Sequence, residues 1–154
     1  MSCDKQSTYC CLQQQVIQLI SEYLLALDIA ITVDDSNSPI FQQQIKTILT
    51  RVTPDLVIIS DGQVFIGTNV LLDNINNKNQ SLVAMTTKIL SSRLICADDD
   101  QVVINVLTRV TEHDKTRNIY LIRDATFKLI KCDCCNGYRI TTVDITTLDT
   151  ITCP

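Results

Sequence analysis

The sequence predicts a mixed α+β protein in which two similar halves, each arranged α-β-α-β-β, form a mixed sheet packed against helices. First, a six-residue motif occurs twice with similar flanking residues. The copies are Ile-Leu-Thr-Arg-Val-Thr at 48–53 and Val-Leu-Thr-Arg-Val-Thr at 106–111, which differ only at the first residue. Second, apolar residues follow helical spacing in some segments and form strand-like runs in others. Third, 154 residues with 45% hydrophobic content can bury one core. We therefore expect one domain over residues 1–154, with pseudo-repeats at 8–73 and 80–131 and a C-terminal hairpin at 127–145.

The first half is expected to begin with a helix and to end with a hairpin. Apolar residues at three- and four-residue steps predict a helix over residues 8–27. Ile29–Val33 is typical of a strand, and a polar loop follows it. A second helix is expected to begin at Pro39 and to stop before Pro54, because proline suits a first helical turn and blocks continuation of a helix. The Asp-Gly dipeptide at 61–62 predicts a tight turn between two strands.

The second half is expected to repeat this order. The polar segment Asn74–Gln80 is interpreted as the link between the halves, and the spacing over 81–91 predicts a helix. Residues 103–110 align with the second helix of the first half and are therefore also predicted to be helical. Two strands joined by a turn at 124–125 follow. Residues 146–154 are expected to form an edge strand or a loose tail.

Composition and charge exclude several classes of function. A net charge of -4 and a sequence pI near 4.8 argue against a nucleic-acid or anionic-membrane binder, which needs clustered cations. The first residues show no secretory pattern. The longest apolar stretch, 16–33, is interrupted by Glu22 and Asp28, so no membrane span is expected. These features favour an intracellular, cytoplasmic protein, and an Ile-, Asn- and Thr-rich chain without Trp suits an AT-rich genome such as that of a virus.

Two acidic clusters form the first candidate site: Asp34 and Asp35, and Asp98, Asp99 and Asp100. Each cluster follows a predicted strand, where carboxylates could hold Mg²⁺ and position a phosphate. Aspartates in the same places also cap helix N-termini. We favour capping, because no glycine-rich phosphate loop or adjacent basic residue accompanies the acids.

The eight cysteines supply the second candidate site. Cys132 and Cys135 form a C-x-x-C pair followed by Asn136-Gly137, a pattern that can hold zinc in a tight turn. The sequence offers no second pair, and alternation along a hairpin strand would place the two thiols on opposite faces. We therefore expect no bound metal, reduced thiols in a reducing compartment, and a buried Cys96 within its apolar run.

No catalytic constellation is recognisable in the sequence. The single histidine, His113, lies in a polar loop without a nucleophile motif beside it, which is typical of a solvated loop residue. The preferred hypothesis is a non-enzymatic protein-interaction or structural protein without a cofactor, which binds a protein partner or itself as a homo-oligomer. The alternatives are a Mg²⁺-dependent enzyme acting on a phosphate-containing substrate at Asp34, Asp35, Asp98 and Asp99, and a zinc-stabilised adaptor that uses Cys132 and Cys135.

Overall fold

A computed structural model describes the backbone of residues 5–132 and 137–154, with side chains from residue 9 onward. These ranges contain three helices and six strands. In chain order they are α1 (Lys5–Thr32), α2 (Pro39–Arg51), β1 (Val52–Ser60), β2 (Gln63–Ile66), α3 (Thr68–Ser81), β3 (Ala84–Ala97), β4 (Gln101–His113), β5 (Asn118–Cys132) and β6 (Gly137–Cys153).

The six strands form one mixed sheet in the order β2-β1-β6-β5-β4-β3. Strands β1 and β6 pair in parallel, and the other neighbours pair antiparallel. The four long strands from β3 to β6 carry shifts in register, which are typical of bulges that bend a sheet. The predicted class, a mixed α+β fold with a mixed sheet packed against helices, is confirmed.

The core lies between one face of the sheet and the helices. Along β4, Val102, Ile104 and Val106 alternate with less buried residues, so one face of the strand points into the core. Helix α1 crosses this face, and the ring of Tyr23 contacts the ring of Phe127 edge to face at 6.5 Å between centroids.

Helix α1 is longer than the sequence predicts, and the expected strand at Ile29–Val33 is wrong. Ala30 and Ile31 are buried and continue the apolar stripe of the helix, so tertiary packing outweighs the strand preference of this segment. The Thr32 hydroxyl donates a hydrogen bond to the carbonyl of Asp28, one turn back.

Residues Tyr9–Thr32 are long and apolar enough to cross a membrane by length and composition alone, with a mean hydropathy of 1.3. A core helix of a soluble protein passes the same test. Val16, Ile20 and Ala30 have no exposed surface and belong to the core, so core packing accounts for the apolar residues on this face of α1.

The order of elements in the second half differs from the prediction. The expected link at Asn74–Gln80 lies within α3, and both expected helices, at 81–91 and 103–110, are strands, in β3 and β4. The expected turn at 124–125 lies inside β5. The segment 103–110 has apolar residues on both faces of a strand, which imitates helical spacing, and its β-branched residues suit a pleated sheet.

The repeated motif does not give two similar halves. Residues 48–53 lie where α2 ends and β1 begins, whereas residues 106–111 lie in the middle of β4. The same six-residue pattern therefore has two local structures, because its surroundings differ. A duplication of the sequence itself stays a prediction.

The turn at 61–62 is confirmed as a two-residue hairpin. Ser60 pairs with Gln63, and Asp61 and Gly62 have φ angles of 49° and 83°, as a type I′ turn requires. Farther along the chain, β5 and β6 pair antiparallel across the segment 127–145. The joining residues 133–136, including the Asn-Gly signal, lie outside the described residues.

Candidate functional site

A cavity of about 360 Å³ lies between α1, α3 and the inner face of the sheet. Its wall is largely apolar, with side chains such as Leu24, Leu27, Phe65, Met85 and Phe127. Small-molecule sites are typically concave, mostly apolar spaces of this kind with a few convergent polar groups. The cavity is therefore the strongest candidate for a ligand site.

The secondary structure explains which residues reach the cavity. Helix α1 contributes Tyr23, Leu24, Leu27 and Ile31, which share one face at helical spacing. The strands contribute alternate residues, as in the β5 series Arg123, Ala125 and Phe127. The same two periodicities that bury the core therefore also form the cavity wall.

The polar side chains that line the cavity are either cationic or neutral. Its ionisable members are Tyr23, Lys78 and Arg123, and no Asp or Glu of the described residues lines it. The Nζ atom of Lys78 lies 3.2 Å from Oε1 of Glu112, a largely buried side chain on β4. Burial raises the pKa of Tyr23 far above its ordinary value, so its phenol stays neutral and can donate a hydrogen bond.

Arg123 is the cavity cation without a direct acidic partner within the described ranges. Its Nε is buried and has no hydrogen-bond acceptor there. Asp61 is near enough for the guanidinium to contribute to lowering its pKa, although the hydrogen bond from the Thr147 backbone is the larger cause. Both oxygens of Asp61 accept hydrogen bonds from Thr147, at 2.6 and 2.9 Å. Arg123 itself lines the cavity.

A buried carboxylate lies beside the cavity wall. Asp28, on α1, has an exposed fraction of 7%. Its Oδ2 accepts from the Thr87 backbone N–H at 2.7 Å, and its Oδ1 accepts from the Thr87 hydroxyl at 2.9 Å. Thr87 lines both the main cavity and a smaller adjacent pocket, and Asp28 lines only the smaller one. The Thr87 hydroxyl therefore stands between the Asp28 carboxylate and the main cavity.

Burial raises the pKa of Asp28, and the two hydrogen bonds from Thr87 and the charge of Lys78 oppose the shift only in part. Strand β3 is at the edge of the sheet, so Asp28 also satisfies a backbone N–H that has no neighbouring strand. The carboxylate therefore has a structural role, and its proton affinity is higher than that of an exposed aspartate.

The structure separates the two predicted acidic clusters. Asp34 and Asp35 are exposed between α1 and α2, and Asp98–Asp100 are exposed between β3 and β4. The contact of Gln13 with Ser92, together with that of Asp28 with Thr87, shows that β3 runs antiparallel to α1. The loop after α1 and the turn after β3 therefore lie at opposite ends of this pair.

The acids in these clusters make local turn contacts. Asp98 Oδ1 accepts from the backbone N–H groups of Asp100 and Gln101, and these bonds lower the pKa of Asp98. Asp35 Oδ1 accepts from the Asn37 backbone. This is the role of a turn-forming aspartate. Asp99 contributes no contact to the cavity lining.

The other sequence candidates lie outside the cavity. Cys132 ends β5, and Cys135 lies outside the described residues. In the described ranges, no group of three or more His, Cys, Asp or Glu side chains could hold a metal ion. His113 is exposed at the end of β4, and its Nδ1 contacts Oδ1 of Asn118. Cys96, expected to be buried, is exposed on the edge strand β3.

Sequence reasoning missed the residues that the fold brings together at the cavity: Asp28, Lys78, Thr87 and Arg123. One signal was available at Asp28, which follows Leu27 within an apolar stripe where a charge is unusual. Arg123 lies between Leu121 and Ala125 in the inward series of β5. Its position could not be recognised while two separate strands were predicted there.

No family model and no curated protein matches this sequence. Solved structures do match its fold. A scytalone dehydratase-like protein from Novosphingobium aromaticivorans superposes with a TM-score of 0.77 at 7% identity, over 95% of this chain and 90% of that one. The hexachlorocyclohexane dehydrochlorinase LinA-type3 from Novosphingobium barchaimii gives 0.74 at 12%, over 96% and 94%. An NTF-2 like protein of unknown function from Pseudomonas aeruginosa gives 0.69 at 14%, over 88% and 99%.

At these identities the likeness shows the fold alone. It nevertheless contradicts the predicted function, because the structures that share this architecture include enzymes. The interpretation as a non-enzymatic structural protein is therefore wrong, whereas the metal-enzyme and zinc-adaptor alternatives stay untested predictions. The chain shares its mixed α+β fold with an NTF-2 like protein, and it has a ligand-sized cavity between α1, α3 and the sheet.

Proposed function

We propose that this protein is an enzyme that binds a compact, largely apolar organic molecule in the cavity and removes a proton from one of its carbon atoms. The observation that carries the proposal is the buried pair of Asp28 and Thr87 beside an apolar cavity of about 360 Å³. A base with raised proton affinity in a water-poor setting is what such a reaction requires.

The wall of the cavity offers both parts of the reaction. The Thr87 hydroxyl receives the proton of the substrate carbon while it passes its own proton to Oδ1 of Asp28, so the carbon–hydrogen bond breaks and the carboxylate becomes a carboxylic acid. The electron pair left on the substrate moves into a new double bond, and a neighbouring oxygen or a leaving group takes up the negative charge. Tyr23 and Lys78 are the groups that stabilise this charge.

The names of proteins with the same fold support this class of reaction. A dehydratase eliminates water and a dehydrochlorinase eliminates hydrogen chloride. A ketosteroid isomerase-like protein from Erwinia carotovora atroseptica also shares the fold, with a TM-score of 0.66 at 14% identity over 88% of this chain and 95% of that one. Elimination and ketone isomerisation have one step in common, the removal of a proton from carbon.

The proposal is tested by hydrogen exchange at carbon. The protein is incubated in D₂O with 1-indanone and 1-tetralone, and deuterium uptake into each ketone is followed by mass spectrometry. We expect catalysed uptake, reduced about 100-fold or more in Asp28→Asn, which keeps the shape of the side chain and removes the base. The matched control is Asp144→Asn, because Asp144 is exposed on β6 and does not line the cavity. Equal uptake by the two variants would contradict the proposal.

We further propose that the protein acts as a cytoplasmic homo-oligomer of one domain over residues 1–154. The support is a set of exposed apolar side chains on β5 and β6, namely Tyr120, Ile130, Leu148 and Ile151, which a second subunit could cover. Native mass spectrometry of the reduced protein measures the number of subunits. A single monomer peak at all concentrations would contradict this arrangement.

A further inference from the structure

The charges around the cavity indicate the class of its ligand. Lys78 and Arg123 line the cavity, and the described part of the chain places no carboxylate in that lining. Asp28 is separated from the cavity by Thr87, whose N–H and hydroxyl hold its two oxygens. The cavity therefore presents an excess of positive charge within a mostly apolar wall, although the chain as a whole is acidic.

The two cations differ in how their charge is compensated. Lys78 is paired with Glu112 at 3.2 Å, so most of its charge is balanced at the wall. For Arg123, the buried Nε has no acceptor among residues 5–132 and 137–154. The nearby Asp61 is already held through both oxygens by Thr147. Because Arg123 lines the cavity, a ligand oxygen there could accept a charge-assisted hydrogen bond from its guanidinium group.

Arg123 also lies at one end of an apolar row. Ala125 and Phe127 follow it on the same face of β5, at about 7 and 13 Å along the strand. Phe127 pairs in register with Val143 of β6, which also lines the cavity. A molecule that fits this arrangement carries an anionic group at one end and a hydrocarbon body of one or two rings beyond it.

We infer that the ligand of the cavity is a compact apolar molecule with a carboxylate, and that Arg123 binds this carboxylate. The inference rests on the proposed function only in taking the cavity as the ligand site. The planar guanidinium matches a carboxylate better than an ammonium group does, because it can donate two parallel hydrogen bonds. Lys78 adds long-range attraction, while its pair with Glu112 keeps it at the wall.

A matched pair of probes tests the inference. 2-Naphthoate and 2-naphthamide have the same rings and differ in the charge of one group. Isothermal titration calorimetry at pH 7 should show that the wild-type protein binds naphthoate at least about tenfold more tightly than the amide. In Arg123→Met, naphthoate binding should fall about 10- to 100-fold while amide binding changes little, since hydrogen bonds to charged groups are worth this much.

Two further variants separate charge from geometry and from position. Arg123→Lys should retain part of the preference for naphthoate, because it keeps the charge and loses the paired donors. Arg109→Met is the matched control, since Arg109 is exposed on β4 and does not line the cavity. It should bind both probes as the wild type does. Thermal unfolding of each variant shows that the comparison is made between folded proteins.

The possible outcomes distinguish the inference from the proposed function. If the wild type binds both probes equally, or if Arg123→Met weakens both to the same degree, the carboxylate inference fails and the cavity remains a ligand site. If the amide binds and naphthoate does not, the inference fails in the same way. If neither probe binds the wild type, both the inference and the cavity proposal fail for ligands of this class.

Discussion

Replacement of Asp28 gives the most informative test of how the cavity wall is held together. In Asp28→Ala, the Thr87 N–H on the edge strand loses its acceptor at a site where Asp28 has an exposed fraction of only 7%. An orphaned buried donor costs about 1–3 kcal/mol, and loss of the second hydrogen bond and of packed atoms adds to this cost. We expect a decrease in the free energy of unfolding of about 2–3 kcal/mol.

Asp28→Asn should be milder. The amide oxygen can accept the Thr87 N–H, and the amide nitrogen can donate to the Thr87 hydroxyl oxygen. Asparagine also needs no desolvation of a charge. We therefore expect a cost below about 1 kcal/mol at neutral pH. Urea unfolding monitored by circular dichroism measures both variants, provided that the dependence of free energy on urea stays the same.

The pH dependence of the free energy of unfolding tests whether burial raises the pKa of Asp28. Burial raises the pKa of Asp28 in the folded protein above its unfolded value near 3.8. At pH values between the unfolded and the folded pKa, the folded state therefore binds more protons than the unfolded state. The contribution of Asp28 to stability is therefore fully present below the unfolded pKa and is lost through this interval. Asp61 and Asp98, whose pKa values are lowered, have the opposite effect. Their contributions to the pH dependence are the same in wild type and Asp28→Asn, and therefore cancel when the two proteins are compared.

The difference in unfolding free energy between wild type and Asp28→Asn should thus move in favour of the variant as pH rises from about 4 to 8. Asp144→Asn, at an exposed position, should show no such drift. A constant difference across this range would refute the claim that burial raises the pKa of Asp28. An Asn variant as unstable as the Ala variant would refute the hydrogen-bond exchange described above.

Three further substitutions test local features by the same urea measurement. Ser38→Ala removes the side-chain acceptor of the Phe41 N–H at the start of α2 and should cost about 1 kcal/mol; no change would show that the cap is dispensable. Gly62→Ala should lower the free energy of unfolding by about 1 kcal/mol or more, because the φ angle of Gly62 is 83°. An added Cβ would meet no atom within 4 Å, so a clash is not the cause. A neutral result would argue against the type I′ turn. Thr53→Val removes a buried hydroxyl that has no partner among the described residues, and should stabilise the protein by about 1 kcal/mol, whereas a loss of stability would show that the hydroxyl is bonded.

The sequence predicted best where a local signal and the tertiary structure agree. The stripe of α1, the proline at the start of α2 and the Asp-Gly turn at 61–62 all specify local geometry, and each is found in the structure. Residues 81–91 and 103–110 were misassigned because apolar residues on both faces of a strand also satisfy helical spacing over one or two turns. Only pairing with neighbouring strands, which is a long-range property, decides between the two structures.

The candidate site was less accessible to sequence reasoning for the same reason. Asp28 and Thr87 are 59 positions apart, and they meet only because edge strand β3 runs along α1. Clusters of neighbouring acids at 34–35 and 98–100 attracted attention because they are conspicuous in sequence, yet they serve exposed turns. A single charge within an apolar segment was the better indicator, since burying it requires a specific partner or function.

Two buried polar atoms without a hydrogen-bond partner among the described residues, Thr53 Oγ1 and Arg123 Nε, differ in what they cost the folded protein. The Thr53 hydroxyl is small and neutral, so leaving it unbonded costs only about 1 kcal/mol, as the Thr53→Val prediction assumes. Arg123 carries a full charge, and holding it half-buried in the wall of an apolar cavity, with its Nε unbonded among the described residues, costs more. Leucine or methionine at this position would extend the apolar row of Ala125 and Phe127 at no such cost. Keeping a cation there costs stability, which agrees with our inference that Arg123 binds a ligand carboxylate.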